Sequence, residues 1–195
     1  MVKEQIRAAL LLFIILSVIT GIIYPLFVTG IAQVFFHDQA NGSLIYRNEK
    51  PVGSLLIGQP FDNPKYFWGR LSATSPVSFN AAASSGSNLG PLNPVLLDTV
   101  KARIKALKDA EPDNNNSIPV DLVTACASGL DPHISKAAAY YQIPRVARMR
   151  GLSQDSVRMI VDQHRSVRFF GVIGEPVVNV LEINLALDAQ DVKLR

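Results

Sequence analysis

From Ala8 to Phe36 the chain runs for 29 consecutive positions without Asp, Glu, Lys, Arg or His. A membrane-spanning helix needs about 20 mainly apolar residues, so the run predicts one transmembrane helix over 8–36. As a single helix it would be about 43 Å long at ~1.5 Å per residue, and tilt absorbs the excess over a ~30 Å hydrocarbon core. Pro25 predicts a kink or an end to the regular part, with Gly21 and Gly30 loosening it further. Tyr24, Phe35 and Phe36 suit the interfacial belt. The apolar core of a signal peptide, about 7–15 residues, is half this length. A buried core helix would show a polar stripe, and none appears before Gln33.

Beyond Asp38 the pattern breaks into short elements. Asn41-Gly42 predicts a turn, Ser43–Arg47 a strand, and Ser54–Ile57 a second strand between Gly53 and Gly58. Phe61, Tyr66, Phe67 and Trp68 then crowd one loop or edge strand, either capping a core or forming a docking surface together with Arg70. Ser72–Pro94 is small, polar and rich in Gly and Pro, a loop long enough to be functional. Asn93-Pro94 opens a helix with Leu97, Val100, Ile104 and Leu107 on one face, ended by Glu111-Pro112. Ile118-Pro119 starts a short helix that Gly129 stops, and Asp131-Pro132 caps another through Tyr141. Ile143-Pro144 opens a further helix closed by Gly151, and Ser153 caps one more carrying Val157, Ile160, Val161 and His164. Leu181, Ile183, Leu185 and Leu187 alternate with Glu182, Asn184 and Ala186, which predicts a strand. The fold class expected is α+β: one transmembrane helix, then a single mixed domain over 37–195. Strands lie near both ends of that domain and helices in its middle, with the first and last strands pairing.

Charge sets the orientation. Lys3 and Arg7 precede the apolar run, and no Lys or Arg follows it until Arg47. The positive-inside bias therefore places residues 1–7 in the cytoplasm and the C-terminal domain outside, periplasmic or extracellular. Beyond residue 7 the chain has 17 basic and 15 acidic residues, which gives no overall footprint for nucleic acid. The single cysteine, Cys126, excludes an intramolecular disulfide framework and a thiolate-rich metal site.

No phosphate loop, dinucleotide turn, nucleophile elbow or Ser-x-x-Lys pair is present, and His37, His133 and His164 lack metal-ligand spacing. Neither a catalytic residue nor a metal ligand is expected. One pattern points elsewhere: Ala147, Gly151 and Val157 have helix-turn-helix spacing, and six arginines fall between Arg145 and Arg168. The alternative class is thus a membrane-tethered DNA-binding regulator. Two helices meeting at a tight glycine turn satisfy the same spacing, and a domain outside the cytoplasm meets no DNA.

Gly53–Phe61, Tyr66–Ala73, Ser85–Pro94, Val123–Ser135, Gln142–Ala147 and Val178–Asp188 together resemble the KdpC family, the C subunit of the bacterial potassium-transporting Kdp ATPase. The matching strings run in order over nearly the whole chain. Departures are small: Leu71 stands where the family usually has proline, Ser85 where it often has glycine, and Cys126 where it often has serine. The resemblance implies a non-catalytic, single-span accessory subunit in the cytoplasmic membrane, in contact with lipid. The implied partners are a channel-like K⁺-translocating subunit, a P-type ATPase subunit and a further small membrane subunit, with no nucleic acid. It also implies a catalytic chaperone that raises the ATPase subunit's affinity for ATP. No cofactor is tightly bound; ATP belongs to the complex and K⁺ passes through the partners. The family's nucleotide-related signature falls here on Ser85, Gly86, Ser87 and Asn88, or on Ser128, Gly129 and Asp131. With the domain outside the cytoplasm, the expected effect on ATP is transmitted through the partners.

Overall fold

The computed structural model describes residues 2–193 and divides into two units, 1–44 and 45–195. In the first, α1 (Val2–Val18) passes through a π-helical turn, Ile19–Ile23, into α2 (Tyr24–Phe35), and α3 (His37–Ala40) follows. Pro25 neither ends the helix nor leaves it regular. Its missing N–H falls at the start of α2, and the wider turn before it carries the Tyr24 amide to the Ile19 carbonyl instead. The continuous apolar helix spans Val2–Phe35, and none of its most apolar 18 residues is buried. A core helix is excluded by that exposure.

The second unit opens with a hairpin of β1 (Leu44–Arg47) and β2 (Lys50–Ser54). Asn48 and Glu49 both take positive φ, which matches a two-residue turn to the strand twist. The second strand therefore lies earlier than the glycine-bounded run suggested, and Leu55-Leu56-Ile57 is turn. A long irregular stretch leads to α4 (Pro94–Ala110), where the Asn93 side chain caps the Val95 amide as expected. Of its stripe, Leu107 is buried and Leu97 is exposed. A single 3₁₀ turn, Val120–Leu122, replaces the short helix expected after Pro119.

Asp131-Pro132 opens a strand, not a helix: β3 (His133–Ser135) comes first, and Ser135 caps α5 (Lys136–Arg150) through the Ala138 amide. Pro144 lies inside α5 without splitting it. Asn114 Nδ2 donates to the Tyr141 carbonyl in the turn that proline disturbs. Gly151, left-handed at φ 65°, closes α5, and Ser153 caps α6 (Gln154–Gln163). β4 (Val177–Asn179) pairs antiparallel with β3, Ile134 opposite Val178. The first and last strands thus do not pair with each other.

The predicted strand over 181–187 is helix α7 (Val180–Lys193). Asn179 Oδ1 accepts from the amides of Leu181 and Glu182 and so turns a strand directly into a helix. Val180, Ile183, Asn184 and Leu187 are buried at helical spacing. The core forms where α5, α6 and α7 meet around Phe67, Val146, Val157 and Leu187.

Candidate functional site

The aromatic segment sits inside the domain. Phe67 is 0% and Trp68 6% exposed, so these two are core, and Tyr66 and Arg70 are half-buried. A docking surface made of the Phe67 and Trp68 side chains is not what the fold presents. Two helix amides hold this segment by its backbone. Asn184 of α7 accepts from the Phe67 amide at 2.8 Å and donates to the Phe67 carbonyl at 3.0 Å. Gln142 of α5 does the same for Trp68, at 2.8 Å and 3.1 Å. Each side chain supplies the two bonds a neighbouring strand would have made, so extended backbone can cross a helical core without unpaired polar groups.

Arg145, 1% exposed, lies 4.6 Å from the Trp68 ring centroid and donates to the carbonyls of Pro64 and Tyr66 and to Gln142 Oε1. Burial holds its pKa down at about 10, against a smaller opposing effect of the Glu111 charge. Arg103 lies 5.0 Å from the same ring and donates to the carbonyls of Leu122 and Gly69; its pKa is also lowered by burial. Asp188 takes the Tyr66 hydroxyl at 3.1 Å and Arg150 at 2.9 Å. Gln142, Asn184 and Asp188 did not stand out as single residues in the sequence, and Arg145 did so only in the basic segment of the helix-turn-helix spacing. The available signal was a polar residue on the apolar face of a helix.

The two segments on which the resemblance would place the Ser-Gly signature are brought together. The Ser85 amide donates to the Ser128 carbonyl at 3.0 Å, and Ser84 Oγ donates to the same oxygen at 3.0 Å. Ser85, Ser87, Asn88 and Ser128 are exposed, Gly86 is half-buried and Gly129 is buried. Gly129 has φ 70°, and a Cβ there would stand 2.6 Å from the Ser85 carbonyl oxygen and 2.5 Å from Thr74 Cγ2. A Cβ on Gly86 would stand 2.6 Å from the Ala127 carbonyl oxygen. Both glycines are required by this close approach of backbones. Asp131 accepts from Arg70 at 3.2 Å and from the His133 amide at 2.9 Å. Burial raises its pKa, but the hydrogen bonds from His133 and the charges of His133 and Arg70 outweigh that and hold it below the usual carboxylate value.

Four amides of the cluster are already taken by bonds within it. A phosphate cradle needs converging free amides, whereas the amides of Ser85, Gly129, Leu130 and His133 already donate to Ser128, Cys126, Ser128 Oγ and Asp131. The adjoining cleft, lined by Phe61, Asp62, Arg70, Ser72, Phe79 and Arg103, holds about 190 Å³. Ligand pockets usually enclose about 300–1,000 Å³. Among the described residues, no group of three His, Cys, Asp or Glu is placed to hold a metal ion.

The helix-turn-helix spacing does form two helices about Gly151, with Ala147 and Val157 buried between them. Five of its six arginines, however, make contacts within the domain, and Arg165 is half-buried. Arg145 is in the core, the Arg150 side chain is 1% exposed on Asp188, and Arg168 pairs with Glu175 at 3.0 Å. Arg148 donates to the Ala110 carbonyl, and Arg158 stacks on Tyr140 at 5.0 Å. The turn is a packing device.

The comparisons agree along more than nine-tenths of the chain. The family model described as KdpC, the c chain of the K⁺-transporting ATPase, matches residues 6–189. The chain is 63% identical over 182 residues to the potassium-transporting ATPase KdpC subunit of Ralstonia nicotianae, covering 93% of this chain and 89% of that one. It is 64% identical to the protein of that name from Herpetosiphon aurantiacus, covering 93% and 94%, and 60% identical to that of Burkholderia cenocepacia, covering 96% and 97%. With the strings from Gly53 to Asp188 in their order and the glycines at 86 and 129 explained by the fold, the chain belongs to the KdpC family.

Proposed function

We propose that this chain is the single-span accessory subunit of a K⁺-transporting ATPase in the cytoplasmic membrane. Residues 1–7 are cytoplasmic, 8–36 cross the bilayer, and 37–195 form the domain outside. The observation that carries this is the identity of about 60% over more than nine-tenths of the chain to subunits of that name. Its partners are the channel-like K⁺-translocating subunit, the P-type ATPase subunit and a small membrane subunit. ATP and K⁺ are handled by those partners. The chain is non-catalytic and acts as a catalytic chaperone that raises the ATP affinity of the ATPase subunit at a distance. The internally paired amides about Ser128 favour this indirect route over direct contact with nucleotide.

An effect at a distance requires that the chain bind the ATP-loaded state of the complex more tightly than the empty one. Linkage makes the effect reciprocal: ATP must then tighten the chain's own association by the same factor. The test is a complex purified with and without the chain. Its removal should raise the ATP concentration needed for half-maximal K⁺-stimulated hydrolysis, and the full chain added back should restore it. An unchanged ATP dependence would refute the chaperone role and leave the assembly role standing. A topology reporter fused after Arg195 should read the outside face; a cytoplasmic reading would overturn the orientation.

A further inference from the structure

Between α6 and β4 the chain makes a finger over 165–177. Ser166 N donates to Val177 O at 2.9 Å, Phe169 N donates to Ile173 O at 2.8 Å, and Phe170 and Gly171 turn at φ 52° and 76°. At its end Val167, Phe169, Phe170, Val172 and Ile173 are 62–84% exposed. No other stretch of the described domain exposes five large apolar side chains within seven positions. Isolated exposed leucines need no explanation, but a contiguous apolar tip does.

The arrangement of the tip distinguishes possible covers. Phe169 and Ile173 pair across the finger, so their side chains share one face, joined by Val167 two positions away. Phe170 and Val172 fall out of that alternation and lie beyond or behind it. The tip is therefore apolar on more than one side. A groove on a protein covers one face, whereas hydrocarbon surrounds an inserted tip. Below the tip stand Arg165 and Arg168, and the one acid, Glu175, is paired with Arg168 at 3.0 Å. A guanidinium beneath an apolar end matches the phosphate level of a bilayer. Ten positions separate Phe35, at the end of the apolar helix, from Ile45, at the start of the domain. That is at most about 35 Å of chain, which keeps the domain at a membrane surface.

We infer that the tip of the 165–177 finger inserts into the interfacial region of the phospholipid bilayer and gives the domain a second membrane contact. This rests on the transmembrane reading of residues 8–36. The test uses the full chain with Cys126→Ser and Phe170→Cys, labelled with an environment-sensitive fluorophore, in nanodiscs of phosphatidylethanolamine and phosphatidylglycerol. The control label is at Ser117→Cys, an exposed position next to Asn116, which lines a groove with Gln154 at the end of α6 opposite the finger. Co-isolation of the chain with the discs checks the anchor separately from the finger. The expected result is a blue-shifted Phe170→Cys label that is quenched by lipids spin-labelled on the acyl chain, with the Ser117→Cys label unshifted and unquenched. A water-like, unquenched finger label on a chain that does co-isolate with the discs would overturn the insertion alone. A blue shift that appears only with the partner subunits, without acyl-chain quenching, would also overturn it and assign the finger to a protein interface.

Discussion

Asn184 makes both backbone hydrogen bonds of Phe67, accepting from its amide and donating to its carbonyl. The contact joins α7 to a segment 117 positions earlier in the chain, in a site where neither group meets water. Replacing Asn184 with Ala leaves one donor and one acceptor buried and unpaired, at about 1–3 kcal/mol each. We expect Asn184→Ala to cost about 2–6 kcal/mol by that reckoning. Asn184→Asp, which keeps the acceptor and loses the donor, should lose stability through the Phe67 carbonyl. Urea titration of the full chain in detergent, followed by the fluorescence of its one tryptophan, measures both.

The same residue explains why α7 was illegible in the sequence. Helical spacing runs Val180, Ile183, Asn184, Leu187, but the polar Asn184 breaks it. What remains to the eye is the alternation of Leu181, Ile183, Leu185 and Leu187, a strand pattern. Leu181 is buried for a separate reason, its contact over Gly53, whose added Cβ would stand 2.7 Å from Leu181 Cδ2. Helix α5 was hidden in the same way: Gln142 and Arg145 are polar on its buried face, and Pro144 reads as a boundary. Some local signals hold, whereas Asp131-Pro132 opens a strand and Ile143-Pro144 lies inside α5. The Asn93, Ser135 and Ser153 caps are made, although Ser135 was not singled out, and Gly151 closes a helix. Polar residues that serve distant backbone carry no such local signal. The meeting of Ser85 with Ser128 was likewise invisible, since it depends on tertiary packing of two loops 43 positions apart.

Trp68 gives a prediction that separates packing from docking. It is buried, donates its ring N–H to the Asn63 carbonyl at 3.1 Å, and has two guanidinium groups against it. Trp68→Ala should cost about 3–5 kcal/mol as a large-to-small core change. The loss should appear as early thermal melting by circular dichroism of the chain itself, with loss of partner co-purification following the melt. Normal melting together with lost co-purification would mean that Trp68 serves the interface directly.

Asp131 predicts the acid limb. A carboxylate whose folded pKa lies below its ordinary 3.8 contributes stability that is present above that value. The contribution is lost as pH falls through the lower folded value, because the unfolded chain then binds the proton more readily. Asp131→Asn keeps an oxygen for the His133 amide but gives up the charge facing Arg70 and His133. Stability of this variant should be lower than that of the parent at pH 6, and the two curves should converge below pH 4. Parallel curves down to the acid transition would show that the Asp131 charge does not contribute.

Gly129 carries the prediction that bears most directly on how the family's Ser-Gly signature should be understood. Gly129, in one of the two segments on which the resemblance would place that signature, has a positive φ and no room for a Cβ between the Ser85 carbonyl and Thr74. Gly129→Ala must therefore strain the backbone and push the two loops apart, at about 1–3 kcal/mol for a residue forced into that region. Gly90 lies in the same loop system with nothing within 4 Å of an added Cβ and no positive φ, so Gly90→Ala is the matched control. The expected outcome is a lowered melting temperature and new proteolytic cuts within 80–90 for Gly129→Ala, with neither for Gly90→Ala. If the signature is structural, the ATP dependence of the complex should change only as far as folded chain is lost, and excess variant chain should restore it. A complex that retains a full complement of folded Gly129→Ala chain and still needs more ATP would place the signature in the coupling itself. Structural closure of the two loops would then be insufficient to explain why the glycine is there.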